Sequence, residues 1–455
     1  MYKKKFIHLI KFISVEPTMW LYMMAYMITS IVEQAFFIQK ACSADLGYSE
    51  LICSNLNRDK NKQIKEKVQV IVSEFHQWNN IAGHTIPIIL AMFIGNWSDR
   101  YGRKLPLIIG LIGKFIYSFM IIINSVIPHW SLNMITYTAT LPMGLLGGDI
   151  SIFASCFAYI SDVSTTRNRT FRITILDVVY LSAMPTGVAV GSFIFSCFNF
   201  APYTLMFGIN SIMVILAIAY SLYKLKWQTS DNQIRISWNS IIFDFFDKNH
   251  ILETYKTLLK KRQFRGRTYL WIILFCMILY TFQRDEKPIS YLYTQLVFNW
   301  DVVEFSHFRT FYSGLFVTAM LVTVPIMNKC ILLEDSYIVM IGTISHAIGR
   351  IAFALAPIWQ IFYFGAIIAA LGPIAAPALR SIASKIVPVE ERGKIFSILS
   401  VCDNAVPLAS GVMYTQLYQA TISTRPNSIF WLTFSTQCGV FFLIMFIKIF
   451  LDIKS

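Results

Sequence analysis

Charge is what this chain has least of. Only 14% of its 455 residues are Asp, Glu, Lys or Arg, while 56% are hydrophobic. A soluble globular protein carries about 25% charged residues, so that class is excluded. Also missing are a Gly-rich phosphate-binding loop, a Ser-His-Asp set and a metal-ligating cluster of His, Cys, Asp and Glu. Their absence argues against an enzyme and against ATP as an energy source, and no cofactor is called for. The short alternating segments of a membrane β-barrel are lacking too. So is the uninterrupted apolar core of a cleavable leader, because His8 and Lys11 interrupt the basic segment 1–17.

What is present is a series of apolar runs of roughly 20 residues. Lipid offers no partner to an open strand, so these runs must be helices. They are expected at about 18–38, 77–97, 105–125, 133–160, 173–197, 204–223, 269–289, 308–327, 337–356, 360–384, 395–418 and 428–447. The expected fold class is an all-α polytopic membrane protein, with twelve transmembrane helices in two six-helix bundles.

The net charge of +14 describes orientation in a bilayer rather than affinity for nucleic acid. With the N-terminus inside, about 26 of the 39 Lys and Arg fall on the cytosolic side. Both termini, 1–17 and 448–455, are therefore expected in the cytosol, the first touching anionic lipid. A polar, basic stretch at 224–268 divides the chain into bundles at 18–223 and 269–447. Part of that stretch is amphipathic around Ile241–Phe246; a solvated linker and a segment lying on the inner leaflet fit it equally. The first bundle carries an outside loop at 39–76 holding Cys42 and Cys53, which form a disulfide or remain two thiols.

The densest signal is Gly95-Asn96-Trp97-Ser98-Asp99-Arg100-Tyr101-Gly102-Arg103-Lys104, wedged between the second and third apolar runs. Gly95 permits close helix packing and Gly102 a sharp link. Asp99 can pair with Arg103 or sit at the positive N-terminal end of another helix, for which the eleventh is the candidate. Arg100, Arg103 and Lys104 also suit plain anchoring at a cytosolic face. The halves echo each other at a second turn. Asp162 is followed by Arg167 and Arg169, and Glu391 by Arg392. Asp162 is expected to pair with Arg167 or Arg169. Duplicated six-helix units of this kind build many secondary transporters.

The G-x-x-x-D-R-x-G-R-K spacing is similar to the signature of the major facilitator superfamily. A narrower resemblance lies in Ser43-Ala44-Asp45-Leu46-Gly47-Tyr48, Trp97-Ser98-Asp99, Ser161-Asp162-Val163-Ser164 with Arg169-Thr170-Phe171-Arg172, and Leu417-Tyr418-Gln419-Ala420-Thr421. These resemble the proton-coupled folate transporter and thymic stromal cotransporter family of solute carriers. The resemblance implies a proton-coupled carrier of small anionic organic solutes, in the plasma membrane or in a lysosomal or endosomal membrane. It also implies that Arg380 faces the substrate and that Asp177, where relatives carry Glu, serves proton coupling.

Arg380 follows Pro373 and Pro377, which loosen the tenth helix, and a guanidinium binds carboxylates without losing its charge. The seventh helix departs from the family. It holds Arg284-Asp285-Glu286-Lys287 but no His, and Asn299 stands where relatives place the Cys that bridges the first loop. Glu33, His84, Lys114, Asp149, His346, Arg350 and Asp403 are further polar residues of the apolar runs, each expected to be paired, with lining the solute path as the alternative. The expected function is proton-driven symport by alternating access. The competing expectations are export of steroid conjugates or peptidoglycan fragments from lysosomes or endosomes, and a non-transporting sensor.

Overall fold

A computed structural model of the chain describes residues 13–57, 59–164, 169–197, 203–229, 233, 245, 266–323, 326–327, 331–386 and 392–450. Among the described residues there is no β-strand. The helices in chain order are α1 (Glu16–Lys40), α2 (Lys62–Tyr101), α3 (Lys104–Val126), α4 (Thr136–Asp162), α5 (Arg169–Cys197) and α6 (Tyr203–Lys224). They continue with α7 (Gly266–Phe298), α8 (Val302–Thr318), α9 (Asp335–Ala354), α10 (Trp359–Ile368, then Ala375–Ile386), α11 (Arg392–Thr421) and α12 (Ser428–Phe450). Among the described residues, nine helical segments are long and apolar enough to cross a bilayer, and α2, α8 and α11 are not in that set. Most of the linker expected at 224–268, including its amphipathic part, lies outside the described residues.

Two compact units emerge from the packing. One comprises Met1–Gly47 and Ala82–His250, the other Tyr48–Ile81 and Ile251–Ser455. In the first, α1 packs on α5 and α6, and α3 on α4 and α6. In the second, α7 packs on α11 and α12, and α9 on α10 and α12. Each pairing recurs six helices later, as a duplicated unit requires. The division differs from the sequence expectation at one place, where Tyr48–Ile81 groups with the second unit instead of hanging from the first bundle. α2 begins at Lys62, well inside the expected loop, so the loop's second half is helix that packs within the second unit.

Close helix approach fixes the first unit. In α5, Gly187 and Gly191 stand four residues apart, and α1 packs directly on them. A Cβ at Gly187 would lie 2.5 Å from Met27 Cβ, and one at Gly191 would run into the carbonyl of Ile28. Backbone cannot yield as a side chain can, so Gly191→Ala is expected to destabilise the protein by about 1–3 kcal/mol. Thermal unfolding in detergent reads this as a lowered midpoint; an unchanged midpoint would refute the packing. Elsewhere the helices are broken where polar groups gather. α4 bends at Gly147 and Gly148, both at positive φ. α7 carries a tight 3-10 turn at Phe282–Asp285, and α10 another at Ala369–Ile374, which contains Pro373. Cys42 and Cys53 are both disulfide-bonded.

Candidate functional site

The link between α2 and α3 is built by its glycine and its cations. Gly102 sits at φ +103°, and a Cβ there would strike the Trp227 carbonyl. Arg103 Nε donates to Asp162 Oδ2 at 3.1 Å, and its Nη1 donates to Ser98 Oγ. Thr229 Oγ1 donates to the same Asp162 oxygen at 3.0 Å. Lys104 Nζ donates to the carbonyls of Leu222 and Leu225, each at 2.8 Å, and lies 4.4 Å from the Trp227 ring centroid. A cation there satisfies carbonyls left over at the end of α6. Arg100 is exposed, 5.5 Å from the Tyr101 ring. The motif thus ties the α2–α3 link to the end of α4 and to the chain leaving α6. Asp162 does bind an arginine, but the described partner is Arg103, from across the bundle. The side chains of Asp99, Arg169 and Arg392, and residues Arg167 and Glu391 entirely, lie outside the described residues. So does the expected contact of Asp99 with the start of α11.

A charged cluster lies among α1, α3 and α4 in the first unit. Lys114 Nζ meets Asp149 Oδ1 at 2.7 Å, and Tyr22 OH donates to the same oxygen at 2.6 Å. Tyr117 OH donates to the Glu33 carboxylate, while the Lys114 ammonium stands 5.3 Å from the Tyr26 ring and 5.5 Å from that of Tyr117. A second pair, Arg172 with Glu16 at 3.2 Å, ties the start of α5 to the start of α1. Asp177, one and a half turns further along α5, is exposed.

The second unit holds the larger network. Its origin is the 3-10 turn of α7, beyond which Asp285 and Glu286 address different neighbours. Ser410 of α11 donates to Asp285, and Asn80 Nδ2 of α2 stands 3.4 Å from it. Glu286 receives Arg350 Nε of α9 at 2.9 Å and the hydroxyl of Thr433 of α12. Arg350 Nη1 also donates to Tyr312 OH at 2.9 Å. Thr433 has one proton and spends it on Glu286, so Tyr414 donates to Thr433. Glu286 and Arg350 are only 4% and 5% exposed, which makes this a fully enclosed ion pair. Nearer the C-terminal end of α10, Arg380 Nη2 meets Asp403 Oδ2 of α11 at 3.0 Å, and Thr281 Oγ1 donates to the other oxygen at 2.9 Å. This pair differs in kind, since the Arg380 side chain is 49% exposed.

The end of α2 remote from Gly102 is zipped to the same unit by polar bonds. Lys65 Nζ reaches the Gln295 carbonyl and, at 3.0 Å, Asn299 Oδ1. Gln69 Nε2 donates to Leu292 O and Gln295 Oε1, both at 3.0 Å, and accepts from Tyr418 OH at 3.0 Å. Gln419 Nε2 completes the seam on Ser73 Oγ at 3.0 Å.

The family model described as Major Facilitator Superfamily matches residues 70–334, more than half of the chain. The chain belongs to this superfamily. Its similarity to curated relatives runs nearly end to end. It is 24% identical to a probable peptidoglycan muropeptide transporter of Drosophila melanogaster, over 90% of this chain and 81% of that protein. It is also 24% identical to a lysosomal proton-coupled steroid conjugate and bile acid symporter of Gallus gallus, over 91% and 89%. A Bos taurus proton-coupled folate transporter is 23% identical over 90% and 86%. Among solved structures, a D-xylose–proton symporter matches with a TM-score of 0.68 at 14% identity, covering 97% of this chain and 98% of the other. The human organic anion transporter MFSD10 matches at 0.65 and 11% identity, covering 94% and 97%.

As a member of the major facilitator superfamily, the chain is a multi-pass membrane protein of a transporter fold. The sequence singled out Arg380 and Asp403 separately, and the structure joins them. It joins Lys114 to Asp149 and Arg350 to Glu286 in the same way, so Lys114, Asp149, Arg350 and Asp403 are paired as expected. Tyr312, Thr433 and Tyr414 were missed because hydroxyls in an aromatic-rich membrane chain carry no separate signal. The α2 seam had a legible one. Lys65, Gln69 and Ser73 stand four residues apart, a polar stripe along one helix face.

Proposed function

We propose that this transporter carries a small anionic organic solute into the cytosol together with a proton, by alternating access. The observation that supports this best is Arg380. Its guanidinium has five N–H donors; among the described residues it spends one, on Asp403, while half of the side chain stays exposed. A solute carboxylate can therefore bind without first dismantling a closed network. Asp403 competes with the solute for Arg380. Asp177, exposed on α5, is the acid proposed to serve proton coupling. The three relatives differ in cargo, all of it organic solutes, and two of them are proton-coupled. The membrane is proposed to be the plasma membrane, or that of an acidic organelle.

The test is uptake of labelled folates, sulfated steroids and muropeptides in cells carrying the protein at their surface, at about pH 5.5 and about pH 7.4 outside, a roughly hundredfold difference in proton concentration. At least one anion is expected to enter several-fold faster at the lower pH, with Asp177→Asn flattening the dependence. Uptake of every compound at the same rate at both pH values would overturn proton coupling.

A further inference from the structure

The cation-rich start of the second segment of α7 does more than hold the fold. Glu286 is consumed by Arg350 and Thr433, and Asp285 accepts from Ser410. Lys287, the next residue, has no hydrogen bond or ion pair among the described residues, and it is exposed to a cavity inside the second unit. The charges acting on it are those of Arg309, Arg284 and Arg350, which repel it, and of Glu286, which attracts it. Lys287, Arg309 and Arg350 line the cavity with one carboxylate, Glu286, which Arg350 already engages. Its apolar wall is aromatic. Phe308 and Phe362 pack with ring centroids 4.9 Å apart, and Phe353 and Phe362 at 4.3 Å. The cavity is about 30 Å³ and partly open to solvent, room for a small charged group.

An unpaired ammonium among like charges inside a membrane-embedded unit is costly, and an entering anion removes that cost. We propose that Lys287, with Arg309, forms an anion subsite within the second unit. It takes the carboxylate or sulfate head group of an organic anion. The proposal rests on the reading of the cargo as an organic anion, and it places a second anchor apart from Arg380.

The experiment uses the purified full-length protein in detergent, with folic acid and estrone 3-sulfate as probes and binding read by displacement of whichever labelled probe binds. Lys287→Gln is expected to weaken binding about tenfold, the loss of one charge-assisted contact. Lys287→Arg should stay within about threefold of wild type, and both variants should unfold at the wild-type temperature without ligand. If the probes bind and Lys287→Gln changes nothing, the subsite is wrong while the anion-transport reading stands. A Lys287→Gln that binds normally at reduced stability would also overturn the subsite, since the residue would then be structural. If neither probe binds wild type, and neutral analogues of the same ring systems do, both readings fail.

Discussion

Arg380→Ala is expected to reduce uptake of the transported anion about 10- to 100-fold at equal surface expression. A hydrogen bond to a charged group contributes roughly 1.5–3 kcal/mol, and each 1.4 kcal/mol is about a factor of ten. The loss has two sources. The solute anion loses its guanidinium, and Asp403 is left with Thr281 as its described partner. An unpaired carboxylate then stands in the solute's place and repels it. Arg380→Lys keeps the charge without the planar fork, so it should fall between the two. Arg380→Ala combined with Asp403→Asn should recover part of the uptake lost by the single change. Arg380→Ala transporting at wild-type rates would show that the exposed guanidinium is an anchor of α10 and not a solute contact.

The second large effect belongs to stability. Arg350→Met is expected to destabilise the second unit by about 3–5 kcal/mol, because it strands Glu286 as a buried, uncompensated charge. Glu286→Gln should cost a comparable amount by stranding Arg350. The double variant Glu286→Gln with Arg350→Met removes both charges, and it should unfold closer to wild type than either single variant. Thermal unfolding in detergent reads all three. Single changes that cost under about 1 kcal/mol, the value of an exposed surface pair, would contradict the enclosure of this pair. Additive losses in the double variant would contradict their coupling.

The helices were legible because apolar runs of membrane length leave little choice. The link at Gly102 was legible because a left-handed glycine beside three cations has few other uses. Long-range partners were not legible in this way. Arg350 and Glu286 lie 64 residues apart, and Asp162 meets Arg103 at a separation of 59. Composition and spacing say that a charge in lipid needs a partner; they do not say which one. The early start of α2 was hidden for a different reason. Hydropathy marks where a helix enters the membrane, and the stripe of Lys65, Gln69 and Ser73 that prolongs α2 is polar, so it reads as loop until its period of four is noticed. Arg284-Asp285-Glu286-Lys287 was legible as a crowd of charges. That Asp285 and Glu286 are committed partners while Lys287, among the described residues, is not, depends on the 3-10 turn before them, which the sequence does not announce.

Coupling of proton and anion movement is tested most directly in liposomes containing the purified protein, with a pH-sensitive dye inside and the membrane potential clamped. A transported anion added outside at acidic pH is expected to enter and to acidify the interior faster than in protein-free liposomes. Both fluxes should be lost in Arg380→Ala. Entry of the anion at the same rate with and without a pH gradient, with no proton movement beyond the leak, would contradict proton-coupled symport.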